Sequence, residues 1–285
     1  MTDNQTTKQP PRPADGVLSK VPGFGGGPVV GVIRLAGVIG QGGLGRRGLT
    51  LDALAPAIDR AFAFRNLAAV ALEINSPGGS PVQSDLIARR IRSLADEKDV
   101  PVIAFCEDAA ASGGYWLACA ADEIYAMPGS IVGSIGVVSA GFGFVEAIAK
   151  LGVERRVHTA GESKAILDPF RPEKEEDLRT LKRIQEDLHD QFIGWVKSRR
   201  KDRLTQETDL FTGAFWTGRE AQALGLVDGL GDRRSVLRER FGKKVKIRPT
   251  VKPKSKFQRL LGMEALADAV IDRAEEQTLR QRIGL

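Results

Sequence analysis

The sequence predicts an α/β fold with a largely parallel β-sheet. Short apolar runs of five to eight residues alternate along the chain with segments of helical periodicity. The apolar runs are nearly continuous, as in strands that are buried on both faces of a parallel sheet. A chain of 285 residues, with 42% hydrophobic and 27% charged content, is long enough to surround such a sheet with helices.

The first half of the chain predicts strands separated by helices. Runs rich in β-branched and small apolar residues predict the strands, and apolar residues three or four positions apart predict the helices. In chain order, the expected elements are a strand at 28–40, a helix at 49–64, a strand at 67–74, a helix at 82–97, a strand at 101–107, a short helix at 112–121 and a strand at 122–127.

The second half is dominated by a long, charged helix over 172–200. Its apolar stripe predicts packing against the rest of the domain and consists of Leu178, Leu181, Ile184, Leu188, Phe192 and Trp195. Three shorter elements are expected around it: a helix at 141–152, a strand at 153–161 and a helix at 218–229 that ends at a glycine.

Composition divides the chain into three parts. Residues 1–28 are polar and proline-rich, which predicts a disordered tail, and residues 29–242 are expected to form the folded domain. Residues 243–285 hold eleven lysines and arginines against five acidic residues, so this segment accounts for the whole formal net charge of +6. We expect a basic linker and an amphipathic helix that docks on the domain, with peripheral contact to an anionic membrane as the alternative. No nucleic-acid partner is predicted.

Targeting and redox features predict a soluble, cytoplasmic protein. The first residues contain no apolar segment of a secretory signal. The longest uncharged run, 124–145, contains a proline and five glycines, which is too turn-prone for a membrane-spanning helix. Cys106 and Cys119 lie in apolar surroundings without metal-ligand spacing, as expected of core thiols in a reducing compartment. The alternative location is the inner membrane surface, to which residues 243–285 would bind.

Ser112 lies among small residues in AAASGGYW, where a helix is expected to begin. Position alone favours a capping role, because a serine at a helix start commonly accepts a hydrogen bond from an orphan N–H. The alternative is a nucleophile, since alanine and glycine neighbours leave room for a substrate carbonyl beside the hydroxyl. The choice depends on whether a base and oxyanion donors accompany the serine.

Three side chains are candidates for that base. His158 is expected in a strand and His189 on the solvated face of the long helix, which disfavours a Ser–His–Asp triad. Lys164 lies in TAGESKAILDPF, where apolar residues and a proline follow the lysine. A lysine acts as a base only in its neutral form, which desolvation by apolar surroundings favours. By local sequence alone, an exposed loop lysine is the simpler interpretation.

Glycines at two strand ends are candidate donors for an oxyanion. NSPGGS (75–80) links a strand to a helix, where free N–H groups converge. Gly78 and Gly79 would let a substrate approach the backbone without obstruction. The N–H of Gly113, directly after Ser112, would be the second donor. An ordinary strand-to-helix turn is the alternative explanation of this segment.

Several segments together resemble the signal peptide peptidase A family, including its shorter SohB-like members. They are NSPGGS (75–80), AASGGYW (110–116), PGSIVGSIGV (128–137), HTAGESKAILDPF (158–170) and a segment similar to the family's closing motif, WTGREAQALGLVDGLGD (216–232). The resemblance thus runs from about residue 29 to residue 232. It implies the ClpP/crotonase-like α/β fold, built from repeated ββα units with a largely parallel sheet, here with a C-terminal helical extension.

The resemblance implies a serine endopeptidase with a Ser–Lys dyad and no metal or organic cofactor. It assigns the nucleophile to Ser112 and the general base to Lys164, with Ser134 positioning the lysine. It assigns the oxyanion hole to Gly78 or Gly79 together with Gly113. The implied substrates are extended peptide segments with small or apolar residues, signal-peptide-like segments among them.

The sequence departs from the family in its membrane anchor and domain number. Members often carry an N-terminal anchor, and longer members carry two domain copies, whereas neither feature is visible in this sequence. Because serine and lysine can come from neighbouring copies in the family, the resemblance implies a homo-oligomer that completes the site. Two alternatives are a crotonase-type acyl-CoA enzyme, which would need neither Ser112 nor Lys164, and a non-catalytic scaffold.

Overall fold

A computed structural model describes residues 27–40 and 48–250 of the chain. The strands in these ranges are β1 (Val29–Ala36), β2 (Leu67–Ser76), β3 (Val102–Ala111), β4 (Glu123–Ala126), β5 (Ile131–Gly133), β6 (Phe215–Thr217), β7 (Gly229–Leu230) and β8 (Lys246–Pro249). They form one sheet in the order β6-β5-β3-β2-β1-β8, with β4 beside β3 and β7 beside β4. All of these pairs are parallel except β5 with β6, so the expected parallel character is confirmed.

The helices in the same ranges are α1 (Leu51–Phe62), α2 (Pro81–Lys98), α3 (Gly113–Ala118), α4 (Val145–Lys150), α5 (Glu175–Arg200), α6 (Gly218–Ala223) and α7 (Arg233–Phe241). Local sequence fixes where α2 begins. The Ser80 side chain caps this helix by accepting from the Gln83 N–H, and Pro81 is its first residue. The helices expected at 49–64 and 172–200 correspond to α1, which is shorter at both ends, and to α5, which begins later but ends at the expected residue.

Strand β3 changes neighbours along its length. Its residues 103–106 pair with β4, and its residues 109–111 pair with β5. On its other side it pairs with β2, with a register irregularity between Ile74 and Ser76. The chain therefore reaches Ser112 between the ends of β2 and β5 and turns there into α3.

The sheet separates two apolar cores. The larger core includes side chains of α1, α2 and α3 together with Ile33, Leu72 and Ile74 of the sheet, which are fully buried. The smaller core lies under α7, where the buried Leu237 packs with residues of β1, β2 and β3 such as Val32. Successive side chains of these strands enter opposite cores, which explains their nearly continuous apolar sequences.

Helix α5 is buried only over its second half. Phe192, Val196 and Arg200 are buried there. The Arg200 guanidinium, at 1% exposure, donates to the Gly225 carbonyl and to the Asp228 carboxylate, so its buried charge is paired. Apolar residues in the first half of the helix stay half-buried or exposed, so the expected packing of the whole stripe is correct for the second half alone.

Residues 136–174, called the arm below, lie outside both cores. From residue 136 to residue 191, no residue of described burial is buried. The arm contains α4 and a 3₁₀ turn, Glu162–Ala165, and its own contacts include the stacked rings of Phe144 and Phe170, with centroids 5.4 Å apart. The strand expected at 153–161 is wrong, because these residues pair with no other strand of the described chain.

The chain returns to the sheet beyond residue 242. Lys246–Pro249 forms β8 parallel to β1, although the sequence predicts a linker from residue 243. The Thr250 hydroxyl then donates to the Val32 carbonyl at 3.0 Å. The start of the basic segment therefore belongs to the sheet. The expected N-terminal tail as far as residue 26 and the amphipathic helix within 251–285 lie outside the described residues.

Candidate active site

Ser112 lies in a strained turn between β3 and α3. Its φ of +51° and ψ of −121° are unusual for a residue with a side chain, at a cost of about 1–3 kcal/mol. It occupies the N-cap position of α3, yet its side chain makes no capping hydrogen bond. Capping therefore does not account for the serine. A sharp strand-to-helix turn is also how α/β-hydrolases expose a nucleophilic serine.

Backbone hydrogen bonds fix this turn on both sides. The Ser112 N–H donates to the Gly133 carbonyl at 2.8 Å, which ties the turn to the end of β5. The Ser112 carbonyl accepts from the Tyr115 and Trp116 N–H groups at 2.9 and 3.0 Å. The buried Tyr115 hydroxyl donates to the Leu226 carbonyl at 2.8 Å. The surrounding structure thus imposes the strained conformation.

The loop after β2 packs directly against Ser112. Gly78 and Gly79 have φ values of +111° and +142°, which favour glycine. A Cβ atom on Gly78 would lie 2.8 Å from the Ser112 Cβ, and one on Gly79 would lie 2.0 Å from the Ile39 carbonyl oxygen. The Ile39 N–H donates to the Gly78 carbonyl, and the Ser80 N–H donates to the Ile39 carbonyl, both at 2.8 Å. The packing of this loop against Ser112 and Ile39 therefore requires glycine at both positions.

The N–H groups of Gly79 and Gly113, which lie beside Ser112, have no acceptor among the residues that the structure describes. A Cβ atom on Gly113 would lie 3.4 Å from the Gly79 nitrogen, so the two residues are neighbours. The Gly78 N–H instead donates to the Ser76 hydroxyl at 3.2 Å. Gly79 and Gly113 therefore have free N–H donors, whereas Gly78, which lacks a side chain, leaves space for Ser112.

Ser112 lines a cavity of about 660 Å³. Its other walls are Gly79 with nearby prolines, residues between 134 and 138, His189 of α5, and residues 212–213. Most of the lining is small or apolar. Among the lining residues that the structure describes, His189 has the one titratable side chain.

Ser134 lines the same cavity as Ser112. It follows β5 and has a φ of +53°, a second strained residue at this site. Its N–H donates to the Ala214 carbonyl at 2.7 Å, which fixes the turn against the segment before β6. The structure thus brings Ser112, Ser134 and Gly79 together from distant parts of the sequence.

Lys164 is not brought to Ser112 within the chain. It lies in the 3₁₀ turn Glu162–Ala165 of the arm, where it is exposed, and it does not line the cavity. Its N–H donates to the Gly161 carbonyl at 3.2 Å. A single copy of the described chain therefore holds Ser112 and Ser134 in one place and Lys164 in another.

His189 lies at the cavity, so the expectation of a solvated helix residue is wrong. The residue is half-buried, and its Nε2 atom lies 3.1 Å from the Ile135 carbonyl oxygen. The sequence carries a signal for this position, because Phe192 and Val196 follow at three and seven residues, a spacing that shares one helix face. His158, in contrast, is exposed on the arm.

The two thiols are core groups. Cys106 and Cys119 are buried and free, and burial raises the pKa of each to about 12. A thiol that keeps its proton is a poor nucleophile, so neither is a candidate for catalysis. Within the described ranges, no group of three or more His, Cys, Asp or Glu side chains is placed to hold a metal ion.

Comparison with protein families agrees with this geometry. The model of peptidase family S49 matches residues 95–247, more than half of the chain. The chain belongs to peptidase family S49. The matched range contains Ser112, Ser134 and Lys164, and Gly78 and Gly79 precede it.

Relatives of this S49 chain include larger proteins. A Brucella abortus protein named Na(+)/H(+) antiporter NhaA is 51% identical over 269 residues, which are 89% of this chain and 36% of that protein. An Arabidopsis thaliana protein named serine protease SPPA, chloroplastic, is 35% identical over 164 residues, 57% of this chain and 24% of that protein. The aligned part of the chain spans about a third of the first relative and about a quarter of the second, so their names describe larger proteins. The resemblance to signal peptide peptidase A proteins is confirmed.

A solved structure shares the fold of this S49 chain. It is described as a mutant of a 1510-N membrane-bound stomatin-specific protease and aligns with a TM-score of 0.50 at 16% identity. The alignment covers 80% of this chain and 99% of that one. It supports the predicted α/β class with a mostly parallel sheet.

No helix in the described ranges has the length and apolar character needed to cross a bilayer.

Proposed function

We propose that this S49 chain is a serine endopeptidase with Ser112 as its nucleophile. The observation that carries the proposal is the strained turn at Ser112, whose hydroxyl caps no helix and lines a cavity. The Ser112 oxygen bonds to the peptide carbonyl carbon while its proton passes to a base. The C–N bond then breaks, the base protonates the leaving amine, and water hydrolyses the acyl-enzyme.

The N–H groups of Gly79 and Gly113 form the oxyanion hole in this proposal. Both lack an acceptor among the described residues, and they are neighbours beside Ser112. Two free donors aimed at the developing oxyanion stabilise the tetrahedral intermediate. Gly78 serves a different purpose, because its N–H is already bonded to Ser76 and its missing side chain makes room for Ser112.

Lys164 of a neighbouring copy is the general base. A lysine takes a proton only in its neutral form, which requires removal from water. Within one chain, Lys164 is exposed and lies away from the cavity. Insertion into the cavity of a second copy would desolvate the amine beside Ser112 and Ser134, and Ser134 would orient it there. The functional unit is therefore a homo-oligomer.

The arm is the surface through which copies meet. It exposes large apolar side chains, with Val138 at 72%, Phe142 at 81% and Leu151 at 76% exposure. Exposed apolar groups of this size gain free energy when a partner covers them. Val138 also lines the Ser112 cavity, so the arm begins at the rim of the site that a partner's lysine would enter.

The substrate is an extended peptide segment with small or apolar side chains. The cavity lining that the structure describes is mainly glycine, proline, valine and hydroxyl residues, and these residues offer no fixed charge to select an acidic or basic side chain. A signal-peptide-like segment has this character. Among these described lining residues there is no lysine or arginine to bind the phosphates of an acyl-CoA substrate.

A fluorophosphonate probe tests the proposal. We expect labelling of the full-length wild-type protein, no labelling of Ser112→Ala, and strongly reduced labelling of Lys164→Ala and Lys164→Arg. The arginine variant tests the base directly, because arginine retains its proton and cannot take the one from Ser112. Equal labelling of wild type and Ser112→Ala, or full peptidase activity of Lys164→Arg, would contradict the proposed dyad.

A further inference from the structure

His189 joins α5 to the turn that carries Ser134. Its Nε2 atom lies 3.1 Å from the Ile135 carbonyl oxygen. Because a carbonyl oxygen only accepts, Nε2 carries a hydrogen and donates it. Ile135 is fully buried, so loss of the ring would deprive a carbonyl beside the core of its side-chain donor.

Hydrogen bonds anchor three successive residues of this turn. The Gly133 carbonyl accepts from the Ser112 N–H at 2.8 Å. The Ser134 N–H donates to the carbonyl just before β6 at 2.7 Å. The Ile135 carbonyl accepts from His189, the one side chain in this set. Ser134 has a φ of +53° between these anchors, and such a conformation persists only where its surroundings enforce it.

We propose that His189 is a positioning residue of the Ser112 site and acts by holding Ser134 in its strained turn. The inference rests on the proposed peptidase function, in which Ser134 orients the lysine that activates Ser112. His189 lines the cavity together with both serines, so its hydrogen bond acts at the site itself. Neither the proton transfer nor the covalent step passes through the histidine.

The requirement for a hydrogen-bond donor distinguishes this role from that of a general base. A positioning residue needs a donor at the place of Nε2, whereas a base needs a nitrogen that takes up a proton. In the neutral ring with Nε2 as donor, Nδ1 is the one nitrogen free to accept. Glutamine can donate from its own Nε2 but does not titrate, so His189→Gln keeps the first property and removes the second.

The test compares four full-length variants on one peptide substrate. His189→Phe keeps a ring without a donor, His189→Gln keeps a donor, Glu186→Gln is a matched control on the exposed face of α5, and Ser112→Ala is the inactive reference. We expect His189→Phe to lower kcat at least tenfold with KM changed less than threefold. We expect His189→Gln to lower kcat less than threefold with the acid limb of its pH profile unmoved. Melting temperatures establish that each variant is folded.

The outcomes distinguish this inference from the proposed function. Wild-type kcat in folded His189→Phe, or a loss confined to KM, would overturn the positioning role. A loss in His189→Gln as large as that in Lys164→Ala would overturn it in favour of a base. Undiminished hydrolysis by Ser112→Ala would contradict the proposed function instead. The His189 variants alone cannot contradict that function. If the wild type neither hydrolyses peptide nor reacts with fluorophosphonate, both proposals fall.

Discussion

Gly78 and Ser112 are packed so closely that no methyl group fits between them. A Cβ atom on Gly78 would lie 2.8 Å from the Ser112 Cβ and 3.0 Å from the Gly113 nitrogen. Both of those neighbours belong to the proposed catalytic apparatus. The glycine is therefore a steric requirement of the site as well as a feature of the loop.

Gly78→Ala should destabilise the fold and impair the site. The new methyl group meets backbone and Cβ atoms that cannot rotate away, and a φ of +111° is strained for alanine. We expect a loss of about 1–3 kcal/mol in the free energy of unfolding in urea and at least tenfold lower peptidase activity. Gly129→Ala is the control, because a Cβ atom there meets nothing within 4 Å. Wild-type stability in Gly78→Ala would show that the loop adapts.

Replacement of Ser112 should separate stability from activity. Both Ser112→Gly and Ser112→Ala lack the hydroxyl and should be inactive. Glycine tolerates the φ of +51°, which is strained for alanine. The free energy of unfolding of Ser112→Gly should therefore be about 1 kcal/mol higher than that of Ser112→Ala. Chemical denaturation measures the difference. Equal stabilities would mean that the turn relaxes once the serine is removed.

Mixing two inactive variants should restore activity if the dyad forms between copies. Ser112→Ala retains an intact Lys164, and Lys164→Ala retains an intact Ser112. Mixed oligomers then contain some sites with both intact residues, whereas each variant alone contains none. The measurement is peptidase activity after the variants are exchanged through mild denaturation and refolding. A mixture that stays inactive, although mass spectrometry shows mixed oligomers, would place both residues of a dyad in one chain.

The two buried thiols predict a loss of stability at high pH. Their pKa values rise from 9.0 to about 12 in the folded chain, mainly because burial disfavours the thiolate. The stabilising contribution is therefore complete below pH 9 and is lost between pH 9 and 12, where the unfolded chain ionises first. Each thiol adds about 1.4 kcal/mol per pH unit to this slope. A Cys106→Ala/Cys119→Ala variant with an unchanged slope would contradict the assignment.

Local sequence signals predicted most elements that form the site. Ser112 and the pair Gly78 and Gly79 lie where strands end and helices begin, and such turns have recognisable residue patterns. The side-chain environment was less predictable. The position of His189 depends on how α5 crosses the domain, which is a long-range property, although the spacing to Phe192 and Val196 was a usable sign.

The failures of prediction share a physical cause, which is dependence on distant partners. The segment 153–161 has the composition of a strand but finds no neighbouring strand in the described chain. Lys246–Pro249 has the basic, proline-containing composition of a linker yet pairs with β1 from the other end of the sequence. Strand formation requires a neighbour, and neither local pattern contains that information.

Strand β8 also affects how molecules can associate. Within the described chain it is the last strand at its end of the sheet, and it contains Lys246, Arg248 and Pro249. Charged side chains and a residue without an N–H group discourage a further strand from pairing at an open edge. This edge is therefore protected against β-type aggregation between molecules, whereas the exposed apolar side chains of the arm are available for the proposed contact between copies.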